Sequence, residues 1–220
     1  MNLVEYVREA TKLKVILSPR DFLPIRANLA ENNRIKRIKV EYSPGKCNTG
    51  DLAYELLRGL FIALGERNGS LLRASSKAGS NDNLSVSWIN SLLSVRWVIN
   101  ELKLRGLRVG GLLKDYLENN LIYLDLEGEA YSHIADRDRR RIYSAVNFAI
   151  YLITRGDVDY GEAGSKFDEL YRNADPEGVN VGSKAAAIID SGPLSWEGVR
   201  ATAGKLMELF NLDRDKVEIG

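Results

Sequence analysis

A single cysteine, Cys47, and a single histidine, His133, stand in 220 residues. No disulfide can close within such a chain. A Cys/His zinc site, which needs about four such ligands, cannot be assembled from it. The fold must therefore be held by its apolar core alone, and a hydrophobic content of 45% is enough to build one. The same scarcity narrows the chemistry. A Ser-His-Asp or Cys-His site would have to use His133, and no nucleophile motif lies near it. Hydrolysis is left to carboxylates, lysines or a hard metal ion. These residues point to a binding protein rather than an enzyme, with no cofactor.

Charge is segregated along the chain. Residues 1–110 carry 18 Lys and Arg against 10 Asp and Glu, a balance of +8, whereas residues 111–220 carry 13 against 20, a balance of −7. The net charge of +1 hides this dipole. Such asymmetry predicts a basic surface for an anionic partner and an acidic surface for something else. The longest apolar stretches, around Leu56–Leu64 and Ile142–Ile153, are interrupted by polar or charged residues. Both fall short of the roughly 18–20 residues of a membrane span. The N-terminus lacks the basic-then-apolar layout of a signal peptide, so a cytoplasmic location and no membrane partner are expected. The absence of Gln and the excess of Arg (19) over Lys (12) fit a thermophile, against which stand 16 Asn.

Periodicity predicts an α+β fold, predominantly helical, with a small sheet or hairpins in the N-terminal half and a helical C-terminal half. A short helix is read at Asn2–Ala10 and a strand at Leu13–Leu17. The stretch Asn28–Asn33 is a loop or a frayed helix. In Arg34–Tyr42 the residues Ile38, Val40 and Tyr42 share one face, and Arg37, Lys39 and Glu41 the other, as in a half-buried strand with a basic wet side. Helix signals resume at Asp51. The segment from Asn68 to Asn83, rich in Gly, Ser and Asn, reads as a flexible loop. A helix follows from about Ser85 to Arg105, stopped by Gly106. A short helix at Leu112–Glu118, ended by Asn119-Asn120, leads into strand candidates at Leu121–Leu126 and Ala130–Ile134, turned at Glu127-Gly128. Beyond these the pattern is helical: Ile142–Thr154 apolar on most sides, Glu162–Arg172, Ser183–Ile189, and a stripe of Trp196, Val199, Ala203, Leu206 and Phe210 with Ser195 as N-cap. A boundary near Ala135 divides a basic mixed region, 1–135, from an acidic helical region, 136–220.

Two basic groups are candidates for phosphate contact. Arg34, Lys36, Arg37 and Lys39 place four cations in six residues, with Tyr42 close by and Arg73 and Lys77 on the predicted loop, a pattern suited to a nucleic-acid groove or to a solvated strand edge. The second group, Lys103, Arg105, Arg108 and Lys114, lies in the segment 101–134. Its helix, turn, helix and hairpin resemble the core of a winged helix, whose second helix enters the major groove while Arg and Lys meet the backbone. The acidic tip of that hairpin, Asp125, Glu127 and Glu129, would repel phosphate and suits protein docking instead.

Other constellations have weaker wording. Pro44–Gly50 lies between a strand and a helix but lacks the glycine and the Lys-Ser/Thr pair of a phosphate loop, so helix capping by Asn48 or Thr49 accounts for it better. Asp157–Glu162 with Asp168 has the length of a calcium loop, but Glu162 stands where the glycine belongs. Asp125, Glu127, Glu129 and Asp136 could hold a hard cation for nuclease chemistry. Lys46 beside Cys47 could lower the thiol pKa. The leading expectation is a non-catalytic nucleic-acid-binding subunit, DNA or RNA, that docks a protein partner or another copy of itself through its acidic half. The alternatives are a protein-interaction scaffold and a metal-dependent nuclease.

Overall fold

The computed structural model describes residues 2–30, 37–109, 111–125 and 130–220. Along them run α1 (Leu3–Thr11), β1 (Lys14–Pro19), β2 (Ala27–Leu29), β3 (Arg37–Tyr42), α2 (Thr49–Arg67), β4 (Leu72–Ala74), α3 (Ser80–Leu104), α4 (Leu112–Asp125), α5 (Arg137–Thr154), α6 (Gly161–Ala174), α7 (Pro176–Ser191), α8 (Trp196–Leu209) and β5 (Val217–Ile219). The protein is a predominantly helical α+β fold with one three-stranded and one two-stranded sheet among the described residues.

Local chemistry sets the helix ends. Asn48 caps α2: its side chain accepts from Asp51 N–H at 2.9 Å while Asp51 accepts from Asn48 N–H at 3.2 Å. This reciprocal cap satisfies two of the amides that a helix N-terminus leaves unpaired. The other oxygen of the buried Asp51 accepts from Leu112 N–H at 3.0 Å and so ties the start of α4 to the start of α2. Pro44–Gly50 is thus the approach to a capped helix. Asp136, Asp175 and Ser195 cap α5, α7 and α8 by one bond each, their side chains accepting from the amides of Arg139, Gly178 and Gly198. At the other end of α3, Gly106 takes φ +65°. The amides of Gly106 and Leu107 then return to the carbonyls of Lys103 and Leu102 at 3.0 and 2.9 Å. A residue with a Cβ pays a steric penalty in that conformation, which is why the helix stops there.

The three-stranded sheet has the order β1-β3-β2, with β1 parallel and β2 antiparallel to β3. Its inner face, including Val15, Ile38 and Val40, is buried against α2. Gly59 of α2 permits the close approach, because a Cβ there would lie 2.8 Å from Ile38 Cγ2. A first core joins this sheet to α1, α2, α4, α6 and the C-terminal half of α3. A second joins the N-terminal half of α3 to α5, α7 and α8. Each core draws residues from both sides of Ala135. The basic and acidic parts of the sequence therefore share their interiors.

Four expectations are corrected. The segment Leu121–Leu126 is not a strand as far as Asp125, because α4 continues through it. The buried positions are Leu113, Leu117, Asn120 and Leu124, a helical period, and Ile122 and Tyr123 face outward. Asn120 does not end the helix; its amide donates to Tyr116 O at 2.8 Å, inside the turn. Residues 130–133 form turns, with Tyr131 at φ 56°. Tyr131 is fully buried and meets the Tyr171 hydroxyl at 2.5 Å, so the segment is held by a ring rather than by strand pairing. The hairpin of the winged-helix pattern is therefore replaced by helix and turns on the described residues, while Glu127, Gly128 and Glu129 lie outside them. The predicted loop Asn68–Asn83 holds β4 and the first turn of α3. β4 pairs with β5, Leu72 opposite Ile219 and Ala74 opposite Val217. Finally, Asn28 and Leu29 belong to β2, and residues 31–33 lie outside the described range.

Candidate functional site

The predicted basic residues do not converge on one surface. Arg34 and Lys36 lie outside the described residues. Arg73, on β4, donates to Glu66 O at 2.8 Å, and Lys77 is exposed in the turn before α3. Leu72, next to Arg73, is bonded to Asn90 near the middle of α3, and Lys77 precedes the first turn of that helix, whereas Lys103, Arg105 and Arg108 lie at or beyond its C-terminal end. There, Lys103 pairs with Asp157 at 2.6 Å, while Arg105 pairs with Glu101 and sits 5.0 Å over the Tyr6 ring. Arg108 is exposed. Lys114 stands 3.8 Å from Glu118 on α4. The acidic half of the sequence thus neutralises part of this second group.

The outer face of the three-stranded sheet does gather cations. Lys14, Ile16, Ser18 and Arg20 share one side of β1 and its continuation, and Arg37, Lys39 and Glu41 the same side of β3, with Lys14 opposite Arg37 and Ile16 opposite Lys39. Lys14 and Arg37 are exposed. The one carboxylate in this row, Glu41, accepts from Lys39 at 2.5 Å and from Arg20 at 3.4 Å. The Lys39 hydrogen bond holds its carboxyl below the usual range. Four cations and one carboxylate on this row leave it positive, with Arg20 and Lys39 at the Glu41 end and Lys14 and Arg37 at the other. Placing Lys14 and Arg37 side by side on neighbouring strands is unfavourable by itself, because like charges directly opposite repel. Phe22 follows at the turn after β1 and is 99% exposed, the most exposed large apolar side chain among the described residues. Neither Lys14 nor Phe22 stands out in the sequence. Lys14 joins Arg37 only through strand pairing, and Phe22 is one aromatic among several.

A second feature lies between α2, α3, α4, α5 and α6 beside the end of β2: a cavity of about 460 Å³. Its walls include Trp88 and Tyr143, with ring centroids 4.6 Å apart, and Tyr151, 5.3 Å from Phe167. The buried Glu55 carboxylate reaches into the same wall. One of its oxygens accepts from Arg58 Nε at 3.0 Å, from Arg58 Nη2 at 2.8 Å and from Leu29 N–H at 2.9 Å. Burial raises the hydroxyl pKa of Tyr54 and Tyr143 and pushes that of Tyr160 up to about 12, so these groups stay neutral at physiological pH.

The remaining constellations are used structurally. Asp168 pairs with Arg172 at 2.8 Å, and Asp157 with Lys103. Asp125 meets Lys166 at 3.5 Å, and Asp136 caps α5. Among the described residues no three His, Cys, Asp or Glu side chains cluster as metal ligands. His133 is exposed in a turn, its ring 4.2 Å from that of Tyr123. Lys46 does not activate Cys47: burial, reinforced by the Asp51 charge, pushes the thiol up to about 11. Alkylation by iodoacetamide should therefore still be rising with pH at pH 10. At pH 8.5 the thiolate fraction should be about 0.3%, against about half for an ordinary thiol. A plateau near pH 9 would contradict that environment.

Among the described residues no helix is long and apolar enough to cross a membrane. Compared with known proteins, the chain matches no family model, no curated protein and no solved structure.

Proposed function

We propose that the protein binds single-stranded nucleic acid on the outer face of its three-stranded sheet. Lys14, Arg37 and Lys39 would contact phosphates and Phe22 would stack on a base. The observation that carries this reading is the row of four cations, Lys14, Arg20, Arg37 and Lys39, on one sheet face where only Glu41 is acidic, with an aromatic ring in solvent at the turn after β1. Single-strand binders combine these two elements: a positive track for the backbone and aromatic platforms for bases. An anion lying between Lys14 and Arg37 relieves their mutual repulsion. This reading moves the interface away from Arg73, Lys77, Lys103, Arg105, Arg108 and Lys114. In the same proposal, α7 and α8, which pack in the second core away from the sheet, offer the exposed carboxylates Asp190 and Glu197 to a protein partner or to another copy's basic sheet.

The test is fluorescence anisotropy with labelled single-stranded DNA, single-stranded RNA and duplex DNA across 50–200 mM salt, the range of about 50 to 200 mM over which several phosphate contacts produce a steep loss of affinity. Replacing Lys14, Arg37 and Lys39 together by Ala should flatten the single-strand salt slope by about 2, at about 0.7 per lost phosphate contact. Phe22→Ala should weaken binding about tenfold or more with the slope unchanged, the loss of one stacked base. The Lys103→Ala and Arg105→Ala variants should bind as the parent does. No binding at the lowest salt would remove the proposal and leave a protein partner as the reading to pursue.

A further inference from the structure

The cavity between α2, α3, α4, α5 and α6 has no part in the sheet-face reading, and its lining is specific enough to name a ligand class. Its volume of about 460 Å³ falls within the range of small-molecule sites, roughly 300–1,000 Å³. Two properties of the wall restrict what fits. First, flat rings dominate it. Trp88 and Tyr143 meet at 4.6 Å on one side, and Tyr151 and Phe167 at 5.3 Å on another, surfaces on which a planar ring gains offset stacking contact. Second, its charges are matched. The Arg58 guanidinium is bound to Glu55 through Nε and Nη2 and donates through Nη1 to Ser91 Oγ at 3.2 Å. A charged ligand would have to be desolvated beside an ion pair that already neutralises itself, a cost that disfavours binding.

We propose that this cavity binds a neutral, planar aromatic molecule of up to nucleoside size, which stacks against Trp88 and Tyr143. The neutral tyrosine hydroxyls that line the site are consistent with an uncharged guest.

The experiment is isothermal titration calorimetry on the full chain. The probes are adenosine, thymidine and quinoxaline, with AMP as an anionic counterpart and 1-octanol as a flexible apolar one. At least one of the three neutral ring compounds should bind, and AMP should bind at least tenfold more weakly than adenosine if adenosine is the one that binds. Ser87→Phe, which fills the cavity from α3, should abolish binding. The triple alanine variant at Lys14, Arg37 and Lys39 should bind the ring compound unchanged, which keeps this site independent of the sheet face. The proposal is overturned if none of the three ring compounds binds, if octanol binds more tightly than all of them, or if binding survives Ser87→Phe.

Discussion

Glu55→Leu should destabilise the protein by about 3–5 kcal/mol, the cost of removing one partner of a buried ion pair. Glu55 is fully buried and Arg58 is 8% exposed. Without the carboxylate, the guanidinium loses the acceptor of both its Nε and Nη2 bonds, and Leu29 N–H, in the antiparallel edge strand β2, loses its acceptor at 2.9 Å. The effect should appear in urea as a lower midpoint with little change in slope, because the surface exposed on unfolding stays the same. For a chain of this size each kcal/mol moves the melting temperature by about 2–4 °C, so a fall of about 10 °C is expected. The double variant Glu55→Leu with Arg58→Met should recover most of the loss, since an apolar pair replaces an ion pair at little net cost. The share due to Leu29 N–H should remain, about 1–3 kcal/mol for one buried donor left without its acceptor. A single variant within about 0.5 kcal/mol of the parent, the range of ordinary surface substitutions, would show that the pair does not hold β2 to α2.

The second large effect belongs to the contact between α5 and α7. Gly182 of α7 lies so close to α5 that a Cβ would stand 2.7 Å from Ala145 O and 3.1 Å from Phe148 Cβ. Ala145, Ala149, Ala185 and Ala186 are small and buried in the same core. Two helices approach this closely only where small residues face each other, and the nearest atom is a backbone carbonyl that cannot turn aside as a side chain could. Gly182→Leu should force the pair apart at a cost of about 3 kcal/mol, the upper end of what overpacking usually produces. The expected fall in melting temperature is about 6–12 °C. Gly182→Ala should cost less than Leu, because the Cβ alone requires only a small shift of α7. Equal effects of the two variants would argue against a packing origin.

The functional readings depend on these two contacts in different degrees. β2 borders the cavity and pairs with β3, so loss of the Glu55 anchor should loosen both the cavity wall and the sheet that carries Arg37 and Lys39. Gly182 lies in the second core, away from the basic face, so Gly182→Ala should leave nucleic-acid binding unchanged.

How much of this was legible beforehand follows from the range over which each feature is encoded. The stripe of Val199, Ala203, Leu206 and Phe210 buries as its spacing predicts, behind the Ser195 cap. The alternation of Arg37–Tyr42 likewise produces a strand with Ile38 and Val40 inward and Arg37 outward. α4 was misread where local apolar density at Leu121–Leu126 was weighed above the period of Leu113, Leu117 and Leu124. The segment before α3 was misread because its strand partner lies at the other end of the chain. Of the candidate interface, Arg37 and Lys39 were legible. Lys14 was not, because only register places it beside Arg37, and the pairing of Lys103 with Asp157 joins residues from the two oppositely charged parts of the sequence.

The amino-acid order by itself determined the helical class, the caps, the inward face of β3 and the exclusion of disulfide and Cys/His zinc architecture. Periodicity, capping and composition act within a few residues or not at all, so they can be read without a structure. Only the tertiary structure decided which cations share a face, which are neutralised by distant carboxylates, that β4 has β5 as its partner, and that five helices leave an aromatic-walled cavity among them. Each of these is a juxtaposition of residues far apart in the chain, produced when apolar surfaces on different elements are buried against one another.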